Sequence, residues 1–297
     1  MSKQHPIIAV TGSSGAGTTT VRRAFADLFR RLQIQAAWIQ GDGFLRHERA
    51  AMSAKINDAT SQGKRFSHFH PAANLLDKLD ALFLEYGQSG TGKTRSYAHD
   101  DIEAARFGTH PGKFTPWQAL PANTDVLFYE GHHGGFSQSA SKTAKTIQIA
   151  EQVDLLLGVT PSVNLEWIQK IHHDCYRSGC GEELVIDTIL HRMPDYVDYI
   201  VPQFARTHIN VQRVPLVDTS HPFVARDVPG ADESIVVIHL RDPKHFDFQK
   251  LLKKIDGAQM TRRNTMLVPG GKMTLALEMI CTPLIAEMIS ARDMVAG

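Results

Sequence analysis

Two glycine-rich stretches in this 297-residue chain carry the residue types that cradle a phosphate. The first, Gly12-Ser13-Ser14-Gly15-Ala16-Gly17-Thr18-Thr19, follows the apolar run Ile7 to Val10 and opens a helical pattern. In that setting successive backbone N–H groups and a helix N-terminus point at phosphate oxygens. The spacing is G-x-x-x-x-G-x-T, which puts the Thr19 hydroxyl where Mg²⁺ is held. The usual lysine is absent, because Thr18 stands there, so the missing cation must come from elsewhere. The second stretch, Gly87-Gln88-Ser89-Gly90-Thr91-Gly92-Lys93-Thr94, satisfies the full G-x-x-x-x-G-K-[ST] pattern. It follows a helical pattern instead of a strand, and Arg95 to Asp100 is a poor helix start. The motif works only between a strand and a helix, so the first stretch is expected to be the nucleotide site and the second a surface loop. That loop could also deliver Tyr97 and His99 to a substrate.

Two acids are candidates for the chemistry. Asp42 ends an apolar run at Ala36 to Ile39 and is followed by Gly43. A carboxylate there can accept the proton of an attacking hydroxyl during phosphoryl transfer. Glu130 ends the run Val126 to Tyr129 and fits the acid that binds Mg²⁺ directly or through water. Each alone could be a turn or strand-end acid. Both beside one phosphate loop make a phosphotransferase site. Lys170 lies among His172, His173, Asp174 and Arg177 on a helical pattern, a polar face able to close over phosphates or simply a solvated surface. His132 and His133 lack the partners a metal site needs.

The elements around these residues follow from periodicity. Strands are expected at Ile7 to Gly12, Ala36 to Ile39, Val126 to Tyr129, Leu155 to Val159, Val214 to Val217, Ile235 to Leu240 and Met266 to Val268. Helices are expected at Val21 to Leu32, Leu75 to Tyr86, Asn164 to Tyr176 with Asn164 as N-cap, and from about Thr274 onward. Continuous apolar strands alternating with helices imply an α/β fold whose mainly parallel sheet has helices on both faces. An antiparallel portion is expected within Thr207 to Gly271. Ligands in such sheets bind beyond the carboxyl ends of the strands, where the phosphate loop, Asp42 and Glu130 all fall. One domain over 1–297 is expected, with a long insertion near 46–123.

Composition bounds the rest. Hydrophobic residues make up 42% and charged residues 21%, which excludes a mainly disordered chain. Lys+Arg is 32 and Asp+Glu is 31, a net charge of +1 that gives no field to hold nucleic acid or a membrane. Three cysteines, Cys175, Cys180 and Cys281, are too few for a disulfide framework or a four-Cys zinc site. The longest candidate span, Leu275 to Ile289, is interrupted by Glu278, Pro283 and Glu287, so no membrane segment is expected. A cytoplasmic location follows as the expectation.

Taken together, the sequence resembles the phosphoribulokinase/uridine kinase group of P-loop kinases, in particular the bacterial, octameric type of phosphoribulokinase. The resemblance rests on His5 to Thr18, Gly41-Asp42, Phe128 to Gly131, Asn164-Leu165-Glu166-Trp167-Ile168-Gln169-Lys170-Ile171-His172, Pro202-Gln203-Phe204, Gln212 to Pro215, Val217 to Ser220 and Val268-Pro269-Gly270. A phosphate loop without lysine is a feature of this type. The resemblance implies a P-loop nucleotide-kinase-like fold and a homo-oligomer. It implies transfer of the ATP γ-phosphoryl, with Mg²⁺, to the O1 hydroxyl of ribulose 5-phosphate. It matches Asp42 to the base, Glu130 to the second acid near the metal and Lys170 to the catalytic lysine. Arg49, Tyr97 and His99 match sugar-phosphate positions. Arg192 matches one of an arginine pair, and Arg241 and Arg262 match basic residues tied to regulation, with NADH as activator and AMP as inhibitor. Four positions depart from the pattern. Leu45 replaces a histidine, while His173, Ser178 (with Arg177 beside it) and His191 replace arginines. These changes remove polar or permanently charged groups from the acceptor side. Two other readings therefore stand: a kinase for another small hydroxyl acceptor, or a nucleotide-binding regulatory protein without turnover.

Overall fold

The computed structural model describes residues 4–13, 17–138, 146–160, 162–179, 181–224 and 227–296, with the side chains of 176–178 and 293–296 outside that description. Its strands are β1 Ile7–Gly12, β2 Ala36–Gln40, β3 Lys93–Thr94, β4 Gln118–Ala119, β5 Val126–Gly131 and β6 Ser137–Gln138, then β7 Ile147–Gln148, β8 Leu155–Val159, β9 Ile209–Pro215, β10 Ser234–Leu240, β11 Gln259–Arg262 and β12 Thr265–Pro269. The helices are α1 Thr18–Leu32, α2 Arg49–Ser61, α3 Leu76–Ser89, α4 Asp101–Phe107, α5 Ile149–Gln152, α6 Val163–Ser178, α7 Glu182–Asp195, α8 Phe248–Lys254 and α9 Met273–Ala296.

Among the described residues, eight strands form one sheet in the order β11-β12-β10-β9-β8-β1-β5-β2. From β9 to β2 every pairing is parallel. From β9 to β11 every pairing is antiparallel. The expected α/β class and its antiparallel portion are both present. Side chains alternate across β1 as strand geometry requires. Ile8 and Val10 face α1 and α9. Ile7 and Ala9 face the other side, where α3 packs through Leu76, Leu79, Leu82 and Phe83. Both faces are therefore covered, which is why these strands read as apolar runs.

Three sequence expectations need correction. The strand placed at Val214 to Val217 is β9 at Ile209–Pro215. Its buried residues Ile209 and Val211 alternate with polar ones, whereas Leu216 and Val217 are exposed. Helix α6 begins at Val163 with Ser162 as N-cap, and the Asn164 side chain instead donates to the Thr219 carbonyl at 2.9 Å. Pro283 does not interrupt the C-terminal segment: α9 runs through it, and the stretch Gly270–Arg292 is long and apolar enough to span a bilayer by length and composition. Ala276, Leu277, Ile280, Cys281 and Ile285 on this helix are instead buried in the core beside α1.

The full lysine-containing motif proves to be misplaced for phosphate binding. Gly87 to Ser89 close α3, Gly90 is its left-handed C-cap at φ 67°, and Lys93-Thr94 form the short strand β3 paired with β4. Carbonyl groups gather at a helix C-terminus, so this loop presents the wrong end of the dipole to an anion. Lys93→Ala is expected to leave ATP affinity within about threefold, under roughly 0.7 kcal/mol, in a direct titration. A loss of nucleotide binding would return the site to this loop.

Candidate active site

The parallel strands β1, β2 and β5 deliver their carboxyl ends to one edge of the sheet. There Gly12-Ser13 enters the phosphate loop, Gly17 forms the left-handed N-cap of α1 at φ 90°, and Thr18 and Thr19 open its first turn. Ser14, Gly15 and Ala16 lie outside the described residues. Gly12 is required here for space: a Cβ would stand 2.8 Å from the Val159 carbonyl oxygen. The His132 Nδ1 lies 2.9 Å from the Gly12 carbonyl and the Thr11 hydroxyl donates to the His132 carbonyl at 3.2 Å, so the loop entrance is tied to the segment after β5. Buried Gln203 locks that segment, donating to the His132 carbonyl at 2.9 Å and accepting from the Gly135 N–H at 2.9 Å.

Asp42 sits in the tight turn Gly41–Phe44 that follows β2. The turn is gripped from outside. Arg95 donates to the Gly43 carbonyl at 2.8 Å and to the Leu45 carbonyl at 2.7 Å, while its guanidinium lies 3.6 Å from the Phe114 ring centroid. A Cβ on Gly43 would come within 2.0 Å of the Arg95 carbonyl oxygen, so this contact needs glycine. The carboxylate Oδ2 of Asp42 is 2.9 Å from His99 Nε2. Desolvation pushes the Asp42 carboxyl up, but the His99 bond and the imidazoles of His132, His99 and His68 outweigh it and hold the group at about 2. Desolvation likewise opposes charge on His99, and Asp42 overcomes it, so the imidazole is raised above its ordinary value. Asp42 is therefore ionised at neutral pH, and with 38% of its side chain exposed an acceptor hydroxyl can reach it.

The other residues expected on the sugar-phosphate side converge on this pair. Arg49, at the start of α2, donates to the His99 carbonyl at 2.5 Å and bonds the Tyr97 side chain. Tyr97 and His99 pack edge to face with centroids 4.8 Å apart. The structure thus brings Arg49, Tyr97, His99 and Asp42 together from three separate segments.

Glu130, at the end of β5, accepts from the Thr18 hydroxyl and lies 3.7 Å from Arg22. Burial raises its carboxyl above the usual range, and Thr18 and Arg22 pull it back. Thr19 is exposed in the first turn of α1. A carboxylate, a free hydroxyl and the phosphates of a nucleotide are the oxygen donors Mg²⁺ takes, usually with retained waters. The residues present fit that ion. No cluster of three His, Cys, Asp or Glu side chains able to hold a metal by themselves occurs among the described residues.

Helix α6 brings a buried lysine to the site. Lys170 is buried, with Nζ 2.6 Å from Asp174 Oδ2 one turn on. His173 Nδ1 is 3.0 Å from the other Asp174 oxygen. Desolvation and the nearby Arg192 lower the Lys170 ammonium from its ordinary value, and Asp174 opposes them. Arg192, from α7, sits 5.8 Å over the Phe69 ring and shares a cavity with Lys170, Glu166 and Tyr196. The Arg177 and Ser178 side chains lie outside the described residues. Of the other departures from the family pattern, Leu45 is buried at 6% exposure and His191 Nε2 is 3.1 Å from the Phe66 carbonyl.

Arg241 and Arg262 lie at the opposite edge of the sheet. Arg241 follows β10, whose last residue pairs with the first residue of β9, and it donates to the Arg206 carbonyl at 3.0 Å. Arg262 ends β11 on the outer edge.

Sequence reasoning missed two residues at the site. His68 comes from the segment between β2 and β5. Its imidazole is held neutral, at about 3, by burial and by Arg192, His132 and Lys170 against the pull of Asp42. Glu166 faces the phosphate loop from α6. Nothing local in the sequence marks His68. The Glu166 position stands inside a quoted motif, and its one-turn spacing from Lys170 was the available signal.

A strand–loop–helix phosphate cradle with two acids at neighbouring strand ends and a lysine-bearing helix across the cleft defines a P-loop phosphotransferase. The model of the phosphoribulokinase / uridine kinase family matches residues 7–220. The chain is 51% identical over 297 residues to the chromosomal phosphoribulokinase of Cupriavidus necator, covering 100% of both. It is 51% identical over 293 residues to the phosphoribulokinase of Nitrobacter vulgaris, covering 98% of this chain and 99% of that protein. It superimposes on the solved phosphoribulokinase from Rhodobacter spheroides with a TM-score of 0.89 at 47% identity, covering 98% of this chain and 100% of that one. The chain belongs to the phosphoribulokinase/uridine kinase family.

Proposed function

We propose that the protein is an ATP- and Mg²⁺-dependent sugar-phosphate kinase that phosphorylates the O1 hydroxyl of ribulose 5-phosphate, giving ribulose 1,5-bisphosphate. The observation that carries this reading is the Asp42–His99 pair, fixed by Arg49 and Tyr97 at the strand edge that also bears the phosphate loop. Asp42 accepts the proton of the attacking hydroxyl. Phosphoryl transfer needs little covalent help, so positioning and charge do most of the work. Lys170 supplies positive charge across the cleft, replacing the lysine missing from the loop. Thr19 and Glu130 would hold Mg²⁺, which neutralises phosphate charge when bound. Arg49, Tyr97, His99, His173, Arg177 and Arg192 bind and orient the sugar phosphate. Effector binding of NADH or AMP involves Arg241 and Arg262, away from the catalytic edge. The protein works in the cytoplasm as a homo-oligomer, an octamer by resemblance.

A second reading, preference for another small acceptor, is favoured by Leu45, a buried apolar side chain three residues after the base. Turnover of ATP and Mg²⁺ against pentose phosphates, pentoses and nucleosides, read by product detection with and without NADH, separates the two. Highest kcat/KM on ribulose 5-phosphate supports the first reading. A different best acceptor establishes the second.

A further inference from the structure

Glu166 is a carboxylate at this edge that the proposed reaction does not use. It is 9% exposed, and the Ser13 hydroxyl, itself 1% exposed, donates to its Oε1. The two residues are 153 positions apart, so the bond joins the entrance of the phosphate loop to α6. Lys170 is one helical turn further along α6, on the same face. Fixing Glu166 against the loop thereby fixes the distance from the loop to the lysine.

We propose that Glu166 is a positioning residue whose bond to Ser13 couples occupancy of the phosphate loop to the placement of Lys170, an inference that rests on the kinase reading above. The direct bond between these two buried side chains transmits any shift of the loop to the helix, because a buried polar pair cannot be broken without leaving one partner unsatisfied.

The charged and titratable groups around Glu166 give the coupling a proton signature. Lys170 faces it from α6, Arg192 from α7 and Tyr196 from the turn after α7. Burial raises the Glu166 carboxyl, Ser13, Lys170 and Arg192 lower it, and the balance leaves it at about 7. The phosphates of a bound nucleotide add negative charge and favour the protonated form. Nucleotide binding near pH 7.5 therefore takes up a proton at this group.

The test uses the intact protein and four variants: Glu166→Ala, Glu166→Gln, Ser13→Ala and the double alanine variant. Both single alanine variants are expected to lose about tenfold in kcat. The double variant should lose no more than either, because both remove the same bond. The amide of Glu166→Gln can still bond the hydroxyl, so it should recover kcat to within about threefold. Calorimetric titration of ATP in buffers of different ionisation enthalpy should show proton uptake for the wild-type protein and none for Glu166→Gln. Additive losses in the double variant, or unchanged proton uptake in Glu166→Gln, overturn the coupling. So does a thermal destabilisation with kcat intact. A wild-type protein that binds ATP with proton uptake but phosphorylates no sugar phosphate overturns the kinase reading and leaves the coupling standing.

Discussion

Asp42→Asn is expected to lower kcat by about 10²–10⁴-fold, the range a positioned general base contributes. The amide keeps the shape of the side chain and can still contact His99, so the turn and its Arg95 clamp survive. It cannot accept the proton of an attacking hydroxyl. ATP affinity should change by less than about threefold, because the phosphate loop is untouched. His99 also loses the anion that opposes its desolvation, so its imidazole should titrate lower than in the wild-type protein, which ¹³C-labelled histidine spectra would read. Kinetics near wild type in Asp42→Asn would remove this carboxylate from the mechanism.

Lys170→Met carries the second large effect. A methionine fills the volume of the lysine stem but brings no charge to the cleft. Removing one preorganised group that stabilises developing charge costs about 10²–10³-fold in kcat. The phosphate loop here has no lysine of its own, so no neighbouring P-loop cation shares the loss. Asp174 keeps His173 as a partner, which limits the effect on folding. Measured kcat with ATP saturating, beside a thermal melt, checks both statements. A kcat within threefold of wild type would mean that Lys170 is a structural partner of Asp174 and no more.

The layer order of this fold was readable because parallel strands are buried on both faces and stand out as apolar runs. The runs Ile7 to Gly12, Val126 to Tyr129 and Leu155 to Val159 needed no tertiary information. Strand β9 was misplaced because its sequence alternates, and the exposed Leu216-Val217 pair drew the assignment past its true end. The phosphate loop was separable from its better-matching rival by context alone, since one follows a strand and the other a helix. Asp42 and Glu130 were legible as acids at strand ends.

What the sequence withheld was long-range. The bond between Ser13 and Glu166, and the pairing of Ser67 with Asp195 at 2.7 Å, join residues more than a hundred positions apart. The role of Arg95 belongs to the same kind. It reads as the tail of a glycine-rich surface loop, yet its guanidinium closes the turn that aims Asp42. Local pattern reports which face of an element is apolar. It does not report which polar residue of a distant element that face will meet.

Transfer of a phosphoryl group to the O1 hydroxyl of ribulose 5-phosphate leaves a product that can be seen directly. Incubation with ATP, Mg²⁺ and ribulose 5-phosphate, followed by ³¹P NMR of the unlabelled products, tests it most directly. One new phosphomonoester resonance, coupled to the C1 methylene protons, is expected to grow in step with ADP. Formation of ADP with inorganic phosphate alone, or a new ester at another carbon, would contradict it.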